Sequence, residues 1–342
     1  MRANVLTDWE KLEMRDVPVP QPRKDEILVR VIYAGICGSD VTVFHHRHLT
    51  ATVPRIMCHE ILGEVVKINS DKDLPYGIGD RVVVHPLKNC GECDPCLDGN
   101  FHVCKNLEIL GLHLEGGFAE YVAVEAKRAF RIAEDIPDKV AALTEPLAVG
   151  YHACSRALLS PEESVLVIGG GPIGIMSALA AKYFQASKVV VAELNKERLE
   201  FIRSLGFDVI DTETEDLVKV TAELTGGNGF DKVIETSGSA FGEMVLADVT
   251  KIRGKAVLVG IPSVPREFQI NKLVLKEIEI IGSRVHTLKD FGSSYKVIEK
   301  LYRENAFEFE RMISAEFPLE RLEEGLALHE SGTMTGKILI KI

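Results

Sequence analysis

Two short stretches of the sequence carry residue types that bind metal ions. "GICGSD" (35–40) holds Cys37 in a glycine-flanked turn, and "CHEILG" (58–63) places His59 and Glu60 side by side. One thiolate, one imidazole and one carboxylate, with a fourth position left open, make a plausible catalytic zinc set, in which the metal acts as a Lewis acid. His59 lies 22 positions after Cys37, and this spacing does not by itself establish that the side chains converge.

A second group of metal-binding residues is denser. "CGECDPCLDGNFHVC" spaces four cysteines as C-x2-C-x2-C-x7-C, and these are Cys90, Cys93, Cys96 and Cys104. Four thiolates at this spacing suit a tetrahedral structural zinc that is closed to solvent. The alternative is an iron–sulfur cluster, but motifs of that class usually continue with a cysteine after three residues and then a proline. The sequence lacks that continuation, so the pattern favours zinc.

A glycine-rich turn follows the apolar stretch "SVLVI" and precedes a helical pattern. Its motif residues are Gly169, Gly171, Pro172, Ile173 and Gly174. In this context the first glycine permits a tight turn, the second lets the backbone approach a pyrophosphate, and the third allows close helix packing. The N-terminus of the following helix stabilises the anion. The stretch therefore predicts a dinucleotide site.

Glu193 stands at the end of the next strand, 19 residues past Gly174. An acidic side chain there can accept hydrogen bonds from both adenosine ribose hydroxyls and would repel the extra phosphate of NADP, so we predict NAD. The alternative is a structural glycine turn with a capping glutamate. Arg198 is a second candidate for the adenosine ribose region, and a solvated helix position explains it equally well.

The elements that must position these residues change character along the chain. Residues 1 to about 145 form short β-branched stretches such as "EILVRVIYAG" and "GDRVVVHP", which predict strands joined by long loops. From "SVLVIGGGPIG" onward, strands and helices alternate, which predicts a parallel sheet with crossover helices. The chain ends in an amphipathic helix and the strand "TGKILIKI". We therefore expect an α/β protein with a β-rich domain and a doubly wound domain.

Length and composition limit the function classes. At 342 residues the chain is long enough for two domains. Its net charge of −11 argues against a nucleic-acid partner. No apolar run approaches the length of a membrane span, and the N-terminus lacks a signal-peptide pattern, so we expect a cytoplasmic protein. The chain has seven cysteines. In a reducing cytosol, closely spaced cysteines bind metal or take part in chemistry more often than they form disulfides.

Taken together, the motifs resemble the zinc-dependent medium-chain alcohol dehydrogenases. They are "GICGSD", "HE" before "LGEVV", "GDRVVV", the four-cysteine lobe, "GGFAEY", "TEPLAV" and "GGGPIG". The resemblance runs in order over the whole chain and is greatest to the polyol branch, with its sorbitol, threonine and galactonate-type sugar-acid dehydrogenases. It implies a GroES-like catalytic domain made from both chain ends, with a Rossmann domain inserted between them. The implied ranges are 1–147 and 285–342 for the catalytic domain, including a structural-zinc lobe at 88–106, and 148–284 for the Rossmann domain.

The same resemblance assigns the catalytic zinc. It makes Cys37, His59 and Glu60 the zinc ligands. Glu145, in "TEPLAV", matches a position where some relatives have a third protein ligand and others a carboxylate that reaches the metal through water. The implied cofactors are therefore NAD and two zinc ions per chain, one catalytic and one structural.

Several nearby residues have proposed roles in proton transfer. Ser39, two residues after the zinc cysteine, can take the alcohol proton. Asp40 is a candidate for orienting His59 or the loop, and a turn-capping aspartate is the alternative. Relatives often carry a histidine where this chain has Thr42, which leaves the relay beyond Ser39 open. His45 is a substitute candidate, with a polar rim loop as the competing interpretation.

Two further positions depart from relatives or bear on specificity. Cys58 stands where relatives usually have glycine, and we expect a small buried thiol there rather than a ligand. Arg284 lies in "GSR", a segment that relatives place between nicotinamide and substrate, and similar to one in sugar-acid dehydrogenases. It is a candidate for a bidentate pair with a substrate carboxylate, and an arginine that ties two domains together is the alternative.

The predicted function is hydride transfer from a secondary alcohol of a polyol or sugar acid to NAD. The alternatives are a threonine-type or butanediol-type dehydrogenase with the same machinery, and a zinc-stabilised dinucleotide-binding redox sensor without catalysis. The sensor would be favoured by the loss of Cys37, His59 or Ser39, and all three are present. The resemblance also implies homodimers or homotetramers built by extending the Rossmann sheets.

Overall fold

The computed structural model of the chain describes residues 1–48, 50–262 and 264–342. Contacts among them divide the chain into two units. Unit 1 comprises residues 1–145 and 287–342, and unit 2 comprises residues 146–286.

The strands are numbered in chain order. They are β1 Arg2–Asp8, β2 Lys11–Asp16, β3 Glu26–Ile36, β4 Arg55–Ile56, β5 Glu60–Asn69, β6 Arg81–Val84, β7 Leu87–Lys88, β8 Glu108–Ile109, β9 Tyr121–Glu125, β10 Ala129–Arg131, β11 Ser164–Ile168, β12 Lys188–Glu193, β13 Asp208–Asp211, β14 Phe230–Glu235, β15 Thr250–Leu258, β16 Glu279–Gly282, β17 Ile313–Pro318 and β18 Lys337–Lys341.

The α-helices are α1 Gly38–Phe44, α2 Asp94–Leu97, α3 Asp138–Ala141, α4 Thr144–Arg156, α5 Pro172–Tyr183, α6 Lys196–Ser204, α7 Leu217–Thr225, α8 Ala240–Val249, α9 Ile270–Lys276, α10 Leu288–Arg303 and α11 Leu322–Glu330. Short 3₁₀ turns cover Phe101–Val103, Ala126–Arg128, Phe309–Met312 and Leu319–Arg321. Among the described residues, no helix is both long and apolar enough to cross a membrane.

The sheet of unit 2 has six parallel strands in the order β13-β12-β11-β14-β15-β16. Strands covered by helices on both faces need nearly continuous apolar runs, which "SVLVI" in β11 and "KVVVAE" in β12 supply. Leu166, Phe230 and Leu246 are fully buried in the core of this unit. The order, counted along the unit, is 3-2-1-4-5-6, the doubly wound arrangement in which dinucleotides bind at the carboxyl ends of the strands.

The largest sheet of unit 1 has the order β10-β6-β5-β3-β18-β17, with β9 also paired to β3. The long strand β3 pairs antiparallel with β5, β9 and β18. Because β18 ends the chain, the last residues complete a sheet begun near the N-terminus. Gly35 on β3 is paired with Glu60 on β5 and with Leu339 on β18. The end of β3 and the starts of β5 and β18 therefore meet at one edge.

The prediction of a β-rich domain with a doubly wound domain is confirmed. The final stretch "TGKILIKI" contains β18, as predicted. Between the paired strands β7 and β8 lies the four-cysteine lobe, which contains α2. Strand β18, from the last residues of the sequence, pairs with β3 beyond the stretch of β3 that β9 covers, so residues from both ends of the sequence form one sheet.

Candidate active site and zinc-binding residues

Cys37, His59 and Glu60 come together at the shared edge of β3 and β5. Cys37 lies between β3 and the first turn of α1, while His59 and Glu60 stand at the start of β5. One ligand atom from each residue lies within 4.8 Å of the other two. His59 and Glu60 are buried and Cys37 is partly exposed. Sheet register thus supplies the convergence that spacing alone could not establish.

Asp40 ties the two ligand-bearing segments to each other. Its Oδ2 accepts a hydrogen bond from the Cys37 N–H at 2.9 Å, and its Oδ1 accepts one from the Cys58 N–H at 3.1 Å. Burial raises the pKa of this fully buried carboxyl, and the charge of His59 opposes that rise. Asp40 Oδ1 lies 4.0 Å from His59 Nδ1, beyond hydrogen-bond reach. Asp40 therefore positions the loops rather than the imidazole directly.

The carboxylate of Glu60 shows that a cation fits at this place. Lys337 Nζ donates to Glu60 Oε1 at 2.6 Å, whereas the buried Oε2 has no hydrogen-bond partner among the described residues. Gly35 makes room for Oε2, because a β-carbon at position 35 would stand 2.1 Å from it. A buried carboxylate oxygen without a donor is costly unless a cation approaches it. The thiolate, imidazole and carboxylate together fit zinc.

Electrostatic surroundings also favour positive charge. Burial raises the pKa of Glu60 to about 7, with Lys337 opposing the rise and Glu145 adding to it. Burial opposes protonation of His59, but its hydrogen bond to Cys37 and the nearby negative charges hold the imidazole pKa well above its ordinary value. The negative groups around His59 therefore favour positive charge at this place, and a divalent ion would supply it.

Glu145 is buried in the first turn of α4. Its charge acts on Glu60, His59 and Lys337. It is outside the group of ligand atoms that lie within 4.8 Å of one another in the described chain. Glu145 is thus a neighbouring carboxylate in this structure, and its direct or water-mediated ligation of zinc stays a prediction.

The residues predicted to move protons lie on or beside α1. Ser39 is partly exposed in its first turn. The Thr42 hydroxyl donates to a helix carbonyl at 2.9 Å, so it is engaged within α1. His45, at the other end of the helix, contacts Glu10 and Glu330. No hydrogen bond among the described residues joins His45 to Ser39, and a role of His45 in proton transfer stays a prediction.

The lobe brings its four cysteines together. Sulfur-to-sulfur distances are 3.4 Å for Cys90–Cys104, 3.5 Å for Cys93–Cys96, 3.7 Å for Cys93–Cys104 and 4.0 Å for Cys90–Cys96. Four sulfurs about 2.3 Å from a tetrahedral zinc would stand about 3.8 Å apart. The lobe therefore fits a structural zinc.

Backbone groups stabilise thiolates in the lobe. The N–H of Cys90 lies 3.3 Å from Cys104 Sγ, and the N–H of Lys105 lies 3.5 Å from Cys93 Sγ. Hydrogen bonds from the backbone N–H groups of Glu92 and Cys93 lower the pKa of Cys90 to about 6. Thiolate is the form that binds zinc.

Unit 2 carries the glycine turn at the carboxyl end of β11. Gly169 has a φ of +99°, in the left-handed region that favours glycine. A β-carbon at Gly174 would stand 1.9 Å from the Gly169 oxygen, so glycine lets α5 begin this close to the strand. Gly171 precedes α5, and Pro172 is its first residue, followed by Ile173.

Glu193 ends β12 beside this turn. Its Oε2 accepts from the Gly170 N–H at 2.8 Å, and its Oε1 accepts from the N–H groups of Leu194 and Asn195 at 2.7 and 2.9 Å. Arg198 Nη1 lies 3.8 Å from Oε2. The carboxylate is held at the carboxyl edge of the sheet by three backbone donors, which leave one acceptor position on Oε2 for a further donor. The sequence did not predict the contact from Gly170, although the run of three glycines was a signal.

Three other residues complete the description. Cys58 has a φ of +84°, which explains why glycine suits this position, and burial raises the pKa of its thiol. Arg284 follows β16 in unit 2 with an exposed side chain, and its contact with substrate stays a prediction. The sequence did not predict a role for Lys337; the signal was a charged residue directly before the apolar run Ile338, Leu339 and Ile340.

Comparison with known proteins gives a consistent result. The family model for the alcohol dehydrogenase GroES-like domain matches residues 23–134, and that for zinc-binding dehydrogenases matches residues 172–301. The L-threonine 3-dehydrogenase of Chelativorans sp. is 34% identical, covering 97% of this chain and 95% of that protein. Sorbitol dehydrogenase of Bacillus subtilis is 29% identical, covering 95% and 92%. The crystal structure of B. subtilis 2R,3R-butanediol dehydrogenase superposes with a TM-score of 0.89 at 27% identity, covering 100% and 99%.

Proposed function

The chain belongs to the zinc-dependent alcohol dehydrogenase family and is an oxidoreductase, and on that premise we propose that it oxidises a secondary alcohol of a polyol or sugar acid with NAD. The observation that carries the proposal is the grouping of Cys37, His59 and Glu60, with a buried Glu60 oxygen left for a cation.

The residues of unit 1 have separable tasks in this reaction. Cys37, His59 and Glu60 would hold the catalytic zinc, which when bound polarises the alcohol oxygen and lowers the pKa of the hydroxyl. The thiolate and the carboxylate offset the charge of the dication. Ser39 Oγ accepts the proton from the alcohol hydroxyl and gives its own hydroxyl proton to water, which its partly exposed position allows. Asp40 fixes the relative position of the two ligand-bearing loops through their backbone N–H groups.

Unit 2 would hold the nicotinamide cofactor, which supplies a hydride acceptor when bound. Gly169, Gly171 and Gly174 would keep side chains away from the pyrophosphate, and the N-terminus of α5 would stabilise its charge. Glu193 supports the choice of NAD, because a fixed carboxylate accepts a hydrogen bond from a ribose hydroxyl and repels a 2′-phosphate. Its three backbone donors hold the carboxylate in place for that task.

The likeness to sorbitol dehydrogenase supports a polyol substrate, and exposed Arg284 supports one with a carboxylate. The likeness to L-threonine 3-dehydrogenase favours a second candidate, oxidation of a β-hydroxy amino acid. A butanediol substrate is the third candidate.

An initial-rate screen of NAD reduction across polyols, hexonic acids, threonine and butanediol tests the proposal. Each active substrate is repeated with NADP and after chelation. We expect activity with one polyol or hexonic acid, preference for NAD, and loss on chelation. Activity confined to threonine would contradict a polyol or sugar-acid substrate and favour the β-hydroxy amino acid. Activity that survives complete zinc removal would contradict the proposed catalytic zinc site.

We also propose a homodimer or homotetramer in the cytoplasm. Strand β16 is an edge strand, and nearby Val274 and Leu275 on α9 are 69% and 82% exposed. Edge strands and exposed apolar residues favour pairing with a second copy. A reducing compartment preserves the thiolates that both zinc sites need. Light scattering after gel filtration tests the assembly, and a monomer at micromolar concentration would contradict it.

A further inference from the structure

The imidazole of His45 lies between two carboxylates from distant parts of the chain. Its Nδ1 is 2.5 Å from Glu10 Oε1, and its Nε2 is 3.1 Å from Glu330 Oε2. The imidazole is 16% exposed, against 63% and 48% for the two glutamates. A neutral imidazole donates through one nitrogen, whereas an imidazolium donates through both. The arrangement therefore matches the protonated form.

The three residues belong to three different elements. Glu10 lies in the turn between β1 and β2, His45 follows the last residue of α1, and Glu330 is the last residue of α11. The Glu10 N–H also donates to the Phe44 carbonyl at 2.9 Å, so the hairpin holds the end of α1 through backbone as well as side chain. At the start of α1, a β-carbon on Gly38 would lie 3.5 Å from the ring of His329. Helices α1 and α11 are therefore adjacent at two places.

Both helices are connected in sequence to residues of the group formed by Cys37, His59 and Glu60. Helix α1 starts directly after Cys37 and contains Ser39, and its seven residues span only about 10 Å. Helix α11 precedes β18, whose first residue Lys337 contacts Glu60. A contact that fixes α1 against α11 therefore affects the position of Cys37, which precedes α1, and of Lys337, which follows α11 and contacts Glu60.

We propose that His45 is a positioning residue: protonated and bridged to Glu10 and Glu330, it holds α1, and with it Cys37 and Ser39, in place. The bridge itself stands independently of the reaction, while its effect on catalysis rests on the proposed function. This role differs from that of a proton relay, because both ring nitrogens are already engaged by carboxylates.

Protonation of His45 sets the pH range of the bridge. The hydrogen bond to Glu10 raises the pKa of His45, Glu330 adds to the rise, and burial opposes it. A histidine whose folded-state pKa is raised stabilises the fold fully below its unfolded value of about 6.5, and the contribution is lost as pH rises through the folded value. On the side of α1, His46 stacks on Trp9 at 4.0 Å, and Arg47 is exposed.

Histidine NMR and hydrogen exchange on the zinc-loaded full chain test the bridge. The variants are Glu10→Gln, Glu330→Gln and their double, with Glu324→Gln as control, because Glu324 lies on the same helix but pairs with Arg321. Each bridge variant should lower the pKa of His45 toward 6.5. Exposed ion pairs contribute little to stability, so protection of the α1 amides, corrected for intrinsic exchange, should fall about 1.4- to 5-fold at pH 6. The fall should vanish at pH 9, and the control should match wild type throughout.

Activity distinguishes positioning from proton transfer. In His45→Gln and the double variant, kcat/KM should fall by a similar factor, about 1.4- to 5-fold, at pH 6 and by less at pH 9. Added imidazole should not restore the rate, because it cannot tie α1 to α11. A His45 pKa that is unchanged by either glutamate variant, or rescue by imidazole, would overturn the proposal. An enzyme inactive on every alcohol would contradict the proposed function while leaving the NMR and exchange results to decide on the bridge.

Discussion

Lys337 Nζ lies 2.6 Å from Glu60 Oε1, and the side chains of the two residues are only 3% and 1% exposed. The same ammonium donates to the Ile36 carbonyl at 2.6 Å. The C-terminal strand therefore supplies a buried positive charge beside the proposed catalytic zinc. The charge of Glu60 raises the pKa of Lys337 to about 12 although burial opposes that rise, so the lysine stays charged at physiological pH.

Replacing Lys337 by methionine should destabilise the metal-free chain by about 3–5 kcal/mol, because Glu60 would be left buried without its counter-charge. Urea unfolding in the presence of a chelator measures this loss. Lys341→Met is the matched control, since Lys341 lies on the same strand and is exposed, and it should change the free energy of unfolding by less than about 0.5 kcal/mol. Equal effects of the two substitutions would refute a structural role for the buried pair.

Asp40→Asn should weaken zinc binding by about 10- to 100-fold, because an amide group cannot accept from both the Cys37 and Cys58 N–H groups. Competition with a chelator of known affinity measures the change at the catalytic site. Asp71→Asn, an exposed loop substitution, should leave zinc affinity unaltered. Retention of wild-type affinity in Asp40→Asn would show that the two loops hold their positions without this carboxylate.

Glu193→Ser should lower kcat/KM for NAD by about 10- to 100-fold, the value of one or two charge-assisted hydrogen bonds, and raise the NADP-to-NAD ratio. Steady-state kinetics with both cofactors measures the switch. Glu197→Ser, an exposed substitution in the first turn of α6, should leave the ratio unchanged. An unaltered ratio in Glu193→Ser would mean that another residue selects the cofactor.

Arg284→Ala should raise KM for a hexonic acid about tenfold or more and leave KM for a neutral polyol nearly unchanged, because a charge-assisted pair with the carboxylate is lost. Arg253→Ala is a control in the same unit, with a side chain 81% exposed. Equal increases for acid and polyol would remove the carboxylate interpretation of Arg284.

The sequence predicted the architecture well because local patterns determine it. The alternation of strand and helix after residue 146 and the glycine turn define the doubly wound sheet, and each signal lies within a few residues of the chain. The four-cysteine lobe was equally predictable, because its ligands lie within 15 positions and its sulfurs converge through local turns.

The residue pattern could not predict which residues distant in sequence lie close together in the fold. Cys37 and Glu60 meet through the β3–β5 register, and Lys337 joins them through β18, which pairs with β3 from the other end of the chain. Register depends on the packing of the whole sheet, so spacing does not encode it. The bridge from His45 to Glu10 and Glu330 was missed for the same reason, because its partners lie 35 and 285 positions away.

The central claim is that Cys37, His59 and Glu60 hold the zinc on which alcohol oxidation depends. Zinc content and NAD reduction, measured on the same preparations of wild type, Cys37→Ser and the control Cys154→Ala, test it most directly. The two clusters predict two zinc ions per chain in wild type and in the control, and one zinc with loss of NAD reduction in Cys37→Ser. Two retained zinc ions, or NAD reduction at the wild-type rate, in Cys37→Ser would contradict the claim.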